Sequence, residues 1–496
     1  MARVVVVGAG MGGLAAAARL SALGHSVLVC EQSATVGGKV GVYSRDGFAF
    51  DTGPSLLTLP AVYRDLFVKT GAPLEQSLEL VEVDPALRYR FPDGVWLDVP
   101  NVSRPAIRRA LDDALGGGAG DDWNALLSRA NDMWAVTRGP FLESSLDGAR
   151  GLARLARRTG DLRTVAPWQT LRGLGRRYLR DPRLRMVLDR YATYTGSDPR
   201  RAPAALAVVP YIEQAFGAWH VRGGLRRLAL AVHDRAVERG AQVRTGCDVA
   251  EIVLEGGRVA GVRLASGERL AADVVVANAD AHTVYQQLLP GPEAAPARRK
   301  LSRATPSLSG FVLLLALRGR TPGLAHHTVL FPDDYDAEFD AVFGRHAAPV
   351  ADPTIYVSAP DDPAMRPDDD HESLFVLVNA PRHGKVPGAF DWRDPGVSAS
   401  YAERVLAVLA ARGFDVRDRL LWCEVRTPWD LQTATRSPGG VIYGSSSNGL
   451  RAAFLRPANR GPVPGLFLVG GSAHPGGGLP LVGLSAAIVA DLVGHA

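Results

Sequence analysis

The chain has 496 residues, enough for about three domains at ~150 residues each, and 47% of them are hydrophobic, so it can bury a large core. The longest apolar runs, such as Phe311 to Leu317, fall well short of the ~18 residues a membrane-spanning helix needs. The net charge of +5 hides an asymmetry: residues 150–201 hold 14 Arg and 4 Asp, a local +10, while the other 42 basic and 47 acidic residues sum to −5.

The first element is Arg3-Val4-Val5-Val6-Val7, a short β-branched run. It enters Gly8-Ala9-Gly10-Met11-Gly12-Gly13 without a break, and an Ala/Leu-rich stretch with helical character follows to about Gly24. A buried strand, a G-x-G-x-x-G turn and a helix in that order predict a dinucleotide-binding βα unit. Gly8 permits the tight turn, Gly10 lets backbone approach a pyrophosphate, and Gly13 lets the helix pack on the strand. The helix N-terminus offers N–H groups and a positive dipole end to phosphate. No charged n-region, apolar h-region and cleavage site precede Val4, so an unsecreted protein is expected.

The second predicted strand, Ser26 to Cys30, ends in Glu31, 23 residues after Gly8, where a carboxylate accepts hydrogen bonds from an adenosine ribose. Cys30, Cys247 and Cys423 are too few and scattered for a disulfide framework or a thiolate metal site, and read as small buried residues. A second glycine pair follows at Val36-Gly37-Gly38-Lys39, then Phe48-Ala49-Phe50-Asp51-Thr52-Gly53-Pro54. An extended cofactor larger than a nicotinamide dinucleotide would use that pair. A surface turn is the alternative.

Residues 101–210 read as mostly helical, with a glycine break at Gly116 to Gly120. Leu152, Leu155, Ala156 and Thr159 fall opposite Arg150, Arg154, Arg157 and Arg158. Trp168, Leu171, Leu174 and Tyr178 likewise fall opposite Arg172, Arg176, Arg177 and Arg180. Such a basic amphipathic stretch suits an anionic membrane interface, or equally a helix docked on the core with a solvated Arg face. Nucleic acid is disfavoured, since no base-reading motif accompanies the Arg.

Past Gly223-Gly224 the chain returns to α/β character, with strands predicted at 242–245, 249–254, 258–264 and 273–277. Residues 290–450 mix strands with Pro-rich loops, and Asp333 to Asp370 reads as the most irregular part. His326-His327 and Asp368-Asp369-Asp370-His371-Glu372 lack metal-ligand spacing and are expected in solvated loops; no metal site is predicted. The chain closes on Leu466 to Gly471, Ser472 to Gly478 and a helix from about Leu479 to Val493, a second strand–glycine–helix unit. If both units touch one cofactor, its domain is discontinuous.

These segments together resemble bacterial carotenoid desaturases of the phytoene-desaturase type, within the FAD-dependent amine-oxidase-like flavoproteins. The resemblance is carried by Gly8 to Gly13 with Glu31, Gly37-Gly38-Lys39, Asp51 to Pro54, Arg190 to Gly196, Gly217 to Leu225 and Gly470 to Gly478, above all His474-Pro475-Gly476-Gly477-Gly478. It implies an α/β fold of glutathione-reductase type. A Rossmann-like FAD-binding domain would be assembled from residues 1–85, 216–288 and 456–496, with a mixed-sheet substrate domain at 289–455 and a helical, membrane-facing segment at 86–215. It also implies FAD held by Gly8, Ala9, Gly10, Met11, Gly12, Gly13, Glu31, Gly38, Lys39, Thr52, Gly53, Pro54, Val249, Gly470, Gly471, Gly478 and Leu479. A lipophilic polyene would lie along Tyr191, Tyr194, Trp219 and His220. Where many of these flavoproteins carry an acid in the C-terminal turn, this chain has Gly470-Gly471-Ser472.

Desaturation of a polyene needs a flavin to accept hydride, an apolar enclosure and at most one base, so no triad is expected. His474 beside the C-terminal glycines and Glu213 in the apolar run Val208 to Phe216 are the candidate acid/base groups. Bracing a turn and facing solvent are their respective alternatives. His220 can equally be pocket wall, and Asp51 a backbone brace. A carotenoid cis–trans isomerase, or an oxidase or saturase of another lipophilic product, shares the same fold and cofactor. The expected location is the cytoplasmic face of the membrane, peripherally bound.

Overall fold

The computed structural model describes residues 1–146, 159–450 and 452–496. A five-stranded parallel sheet has the order Gln242–Arg244, Ser26–Cys30, Arg3–Val7, Val274–Ala277, Leu466–Leu468. Strands from both ends and the middle of the sequence thus lie side by side. Val4 to Val7 are all buried, which is why this strand is a continuous apolar run: parallel strands are covered on both faces. The helix Met11–Ala22 packs between Arg226–Glu238 and Leu479–Val493. It is buried from Met11 to Ser21, hence its four consecutive alanines, Ala15 to Ala18.

A three-stranded antiparallel sheet, Val249–Glu255, Arg258–Leu264 and Arg269–Ala271, flanks this layer. A seven-stranded mixed sheet forms a second body, in the order Leu420–Arg426, Ser309–Arg318, His371–Ala380, Ile355–Ser358, His327–Leu330, Leu87–Arg90, Trp96–Val99. Its pair His327–Leu330 with Leu87–Arg90 is parallel, and the other pairs are antiparallel. Two of its strands therefore come from the segment read as helical. Their alternation, with Leu87, Tyr89, Leu97 and Val99 inward, is the period-2 signal that the reading passed over.

The helices Arg104–Leu115, Ala119–Thr137, Thr159–Val165, Leu171–Tyr178, Pro182–Arg190 and Val208–Phe216 cover one end of this sheet around a core that includes Trp123, Tyr191 and Phe331. The region 333–370 is more regular than expected. It contains the helix Tyr335–Phe343, capped by Asp334, and the strand Ile355–Ser358. Its Pro- and Asp-rich composition belongs to the connections.

Of the basic amphipathic stretch, residues 150–158 lie outside the described residues. The second half forms the helix Leu171–Tyr178, and Leu171 and Leu174 are buried in the core. Arg172 does not join a solvated Arg face; it pairs with Asp189 at 2.8 Å and with Asp336 at 2.6 Å. Trp168, Arg176, Arg177 and Arg180 are exposed. The apolar side of this helix is thus spent on the protein core.

Candidate active site

The two glycine turns meet. Gly8 adopts φ 99°, which turns the chain at the carboxyl end of the first strand, and its N–H donates to Cys30 O of the neighbouring parallel strand at 2.8 Å. A Cβ at Gly13 would lie 2.1 Å from Gly8 O, so only glycine lets the helix start this close to the strand. A Cβ at Gly12 would lie 3.0 Å from Gly470 Cα, and one at Gly38 3.1 Å from Gly10 Cα. Gly37 N–H donates to Ala9 O at 2.8 Å. The segments 8–13, 37–38 and 470 therefore form one cradle of bare backbone. Neither flanking helix has a side-chain N-cap, with Gly10 and Gly478 in those positions. Uncapped first-turn N–H groups suit phosphate, and a Cβ at Gly478 would meet nothing within 4 Å. These residues fit an extended, phosphate-bearing cofactor.

Glu31 is buried at the end of its strand. Its Oε2 accepts from Ala9 N–H at 2.7 Å and its Oε1 from Ser33 N–H at 2.9 Å, which fixes the carboxylate and leaves lone pairs for ribose hydroxyls. Val249 is buried nearby, two residues past Cys247, whose N–H donates to Glu31 O. Cys30 and Cys247 are both buried and Cys423 is half-buried. Lys39 Nζ donates to Val441 O and Ile442 O at 2.9 and 2.7 Å; burial pushes its pKa down to about 8, with Asp280 opposing. Thr52 N–H donates to Gly41 O, and Gly53 packs so closely on Lys39 that a Cβ would overlap its carbonyl. Pro54 follows, half-buried. Gly471 backs onto Gly477, and Leu479 O accepts from Tyr63 OH at 2.8 Å.

Asp51 is a backbone brace. Its carboxylate accepts from Leu225 N–H at 2.8 Å and Arg226 N–H at 3.3 Å, at the start of the helix Arg226–Glu238. Burial raises its pKa to about 6 against these two hydrogen bonds. Asn278 was not singled out by the sequence reading. It ends the strand Val274–Ala277 and lies closest to the Cβ positions of Gly10, Gly12 and Gly470, and its Nδ2 donates to Val469 O at 3.1 Å. The signal for it was positional, a polar residue at the carboxyl end of a parallel strand.

Beyond the Asp51–Pro54 loop lies a buried polar network. Glu213 is buried, not solvent-facing. It accepts from Tyr191 OH at 2.5 Å and from Tyr194 OH at 3.4 Å. Burial raises its pKa, opposed by the two tyrosines and the nearby Arg190 charge. Arg190 Nη1 donates to Tyr194 OH at 2.9 Å, and the guanidinium lies over the rings of Tyr194 and Tyr356. Tyr356 OH bonds to Ser55 Oγ at 2.6 Å and His327 Nδ1 at 2.7 Å.

His326 and His327 are not in a solvated loop. His327 opens a strand and is fully buried, and the His326 ring sits between those of His327 and His220. Burial holds both rings below the ordinary histidine range. His220 Nε2 lies 2.8 Å from Asp362 Oδ2. Asp51, Ser55, His220 and His326 line a small cavity of about 10 Å³. Trp219 alternates to the opposite side of the strand from His220 and lies against Arg64. The fold does not bring those two neighbours to one site. Of the acidic run, Glu372 is buried and accepts from Thr321 Oγ1 at 2.5 Å, while Asp368 to Asp370 stay exposed. Among the described residues, no group of three or more His, Cys, Asp or Glu is arranged to hold a metal ion.

His474 is buried beside the C-terminal glycines. Its Nε2 lies 3.0 Å from Ser144 O, its ring meets Phe141 edge-on at 5.2 Å, and burial lowers its pKa to about 4. It is neutral at neutral pH and holds residues 141–144 against the C-terminal turn.

The model of flavin-containing amine oxidoreductases matches residues 11–493. The chain belongs to this family. Among curated relatives of this flavin oxidoreductase, 4,4'-diapolycopene oxygenase of Methylomonas sp. is 36% identical, covering 99% of this chain and 98% of that protein. Hydroxyneurosporene desaturase of Rubrivivax gelatinosus is 33% identical, covering 99% and 93%. A solved oxidoreductase from Methanosarcina mazei shares the fold, with TM-score 0.62 and 18% identity over 99% of this chain and all of that one.

Proposed function

We propose that this oxidoreductase is an FAD-dependent desaturase that introduces C=C bonds into an acyclic carotenoid or related polyene. The observation that carries the reading is the convergence of the Gly8–Gly13 and Gly470–Gly478 turns on one cradle beside Glu31, in a chain one third identical to a hydroxyneurosporene desaturase over nearly its full length. In this reading residues 1–85, 216–288 and 456–496 form the FAD-binding domain. The glycine backbone and helix N-termini hold the pyrophosphate, Glu31 holds the ribose, and Val249 packs at the adenine. Lys39, Thr52, Gly53 and Pro54, with Gly470, Gly471, Gly478 and Leu479, line the remainder.

Bound FAD supplies hydride acceptance. The protein's part is to exclude water, hold the polyene against the flavin and supply at most one base. A C–H beside a polyene leaves a resonance-stabilised cation when hydride departs, and the neighbouring C–H becomes acidic enough for a weak base. Tyr191 and Tyr194 wall the substrate region with His220, and Glu213 is a buried carboxylate behind the tyrosines. His474, neutral and tied to residues 141–144, braces the C-terminal turn.

Anaerobic mixing of purified holoenzyme with an acyclic carotenoid tests the reading. Bleaching of the flavin, with a product that has lost two hydrogens and absorbs at longer wavelength, supports it. No bleaching with any acyclic carotenoid contradicts it. A geometric isomer of unchanged mass would assign an isomerase. The 36% identity to an oxygenase favours a second reading, whose signature is a product that has gained oxygen.

No helix among the described residues is long and apolar enough to cross a membrane. For a lipid-dissolved substrate, the Arg-rich segment 150–180 would supply peripheral contact with the anionic cytoplasmic face of the membrane.

A further inference from the structure

We propose that the cleft between the helices Arg104–Leu115 and Ala119–Thr137 binds the phosphate of an anionic phospholipid, and that the exposed pair Val102 and Phe216 beside it enters the bilayer, so that this face seats the protein on the membrane. The inference rests on the peripheral-membrane reading above and places the principal contact on a face outside residues 150–180.

The cleft has a volume of about 580 Å³, within the ~300–1,000 Å³ of small-ligand sites. Helical spacing builds its walls. Arg104, Arg108 and Asp112 follow one another at i, i+4 and i+8, with Arg109 in the next row, and Asn124 and Ser128 line the cleft from the second helix at the same spacing. Ile107 and Leu111 take the buried side of the first helix. Three guanidiniums against one carboxylate leave this lining at +2.

Asp112 is already engaged. Its Oδ1 accepts from Gly118 N–H at 3.0 Å and Gly120 N–H at 2.9 Å, at the start of the second helix, and its Oδ2 stays 3.9 Å from Arg108. Arg108 pairs with Asp121 at 2.9 Å. Arg104 and Arg109 have no ion pair among the described residues, and Arg104 lies over the Tyr211 ring at 5.7 Å. Like charges at this spacing repel, and a guanidinium fork matches phosphate oxygens. An anion in the cleft relieves the repulsion and uses the forks, with Asn124 and Ser128 as neutral donors.

The apolar edge of the cleft selects a lipid over a soluble anion. Val102 is 43% exposed and sits at φ 53°, a region that β-branched residues rarely enter. It is pinned there. The Asn101 side chain exchanges two 3.0 Å hydrogen bonds with the N–H and carbonyl of Ala218, and Ser103 N–H donates to Asn101 O at 2.7 Å. The chain thus spends backbone strain on holding an apolar side chain out in water. Phe216, 37% exposed, stands next to it: a Cβ on the following residue, Gly217, would lie 2.9 Å from Val102 Cγ2. Exposed apolar side chains flanked by arginines fit the boundary between headgroups and acyl chains.

This face also adjoins the region assigned to the polyene. Phe216 ends the helix Val208–Phe216, and one turn further in Glu213 accepts from Tyr191 OH. Tyr211 of the same helix donates to Asn131 Oδ1, on the second cleft helix, at 2.7 Å. The strand Ala218–Val221 then pairs with Leu57–Thr58, just past the Asp51–Pro54 loop.

The test is co-sedimentation of the flavin-loaded protein with vesicles of phosphatidylcholine containing one third phosphatidylglycerol, at low salt. An arginine at an anionic surface is worth about fivefold in partitioning, so Arg104→Gln with Arg109→Gln should weaken binding about 25-fold. Arg176→Gln with Arg177→Gln removes the same charge from the exposed side of the helix Leu171–Tyr178 and should change binding by less than about threefold. Val102→Gly relieves the backbone. It should bind vesicles several-fold more weakly while unfolding in urea no earlier than the parent, an outcome that a merely structural Val102 would not give. Retained flavin reports that each variant is folded. Equal losses in the two arginine pairs, or binding unchanged by the Arg104 and Arg109 substitutions, overturn the cleft and leave the peripheral-membrane reading intact. Full binding by Val102→Gly combined with Phe216→Ser overturns the insertion of the apolar pair. A parent chain that does not sediment with the anionic vesicles overturns the peripheral-membrane reading and the cleft together.

Discussion

Gly12→Ala separates folding from cofactor retention. Gly12 lies in the first turn of the helix Met11–Ala22, where Ala is intrinsically better than Gly by ~1 kcal/mol. The added Cβ would stand 2.7 Å from Asn278 Nδ2, 3.0 Å from Gly470 Cα and 3.1 Å from Gly470 N, against an ordinary contact of 3.4–4 Å. Asn278 can swing, but Gly470 is backbone and must retreat by about 0.4 Å, the gap between 3.0 and 3.4 Å. Overpacking of this kind costs ~1–3 kcal/mol, and the helix gain offsets part of it. Net stability should therefore change by no more than ~2 kcal/mol. In the proposed reading the cofactor lies against both turns and meets the whole displacement, so its affinity should fall at least about tenfold, or ~1.4 kcal/mol. Flavin fluorescence titration of apoprotein gives the affinity, and urea unfolding gives the stability. Gly117→Ala is the control, since its Cβ would meet nothing within 4 Å. If Gly12→Ala binds flavin as tightly as the parent chain, the convergence of the two turns on the cofactor is refuted.

Asp51→Asn should reveal a pH-dependent contribution. The folded-state pKa is raised from 3.8 to about 6 by burial. Its stabilisation is therefore complete below the unfolded value and is lost as pH rises through about 6. The stability advantage of the parent over Asp51→Asn should shrink by about 1 kcal/mol between pH 5 and pH 7, seen by urea unfolding; a constant difference would refute the burial argument. Glu213→Ala leaves the Tyr191 and Tyr194 hydroxyls without their buried acceptor and should cost ~2–4 kcal/mol. Glu213→Gln keeps an acceptor and should cost less than half as much, and equal losses would contradict the network. In flotation with anionic liposomes at low salt, the protein should rise with the lipid and be released as salt screens the Arg. A protein that stays in the soluble fraction removes the membrane proposal.

The convergence of the glycine turns was legible because its signals are local: Val4 to Gly13 and Leu466 to Leu479 each run from strand through glycine turn into helix, and Ser26 to Glu31 is a strand ending in an acid. Asp51 was read as a brace, and the structure supplies the helix it braces. The strands Leu87–Arg90 and Trp96–Val99 were missed because they are only four residues long and precede a helical stretch. The Arg190 network was illegible for a different reason. Its members, Arg190, Tyr194, Glu213, His327 and Tyr356, come from two helical segments and two strands, and nothing in the spacing says they meet. His326-His327 follows a Pro-Gly loop and looked solvated, yet His327 is buried by pairing between two neighbouring strands. The helix Leu171–Tyr178 was correctly amphipathic, but periodicity alone does not say whether a core or a bilayer takes the apolar side.

The most direct measurement of the central claim is the cofactor content of the purified, folded protein. The account predicts yellow material that releases close to one FAD per chain on denaturation, with no FMN. A chain that unfolds cooperatively, yet is colourless and takes up no added FAD, would contradict it.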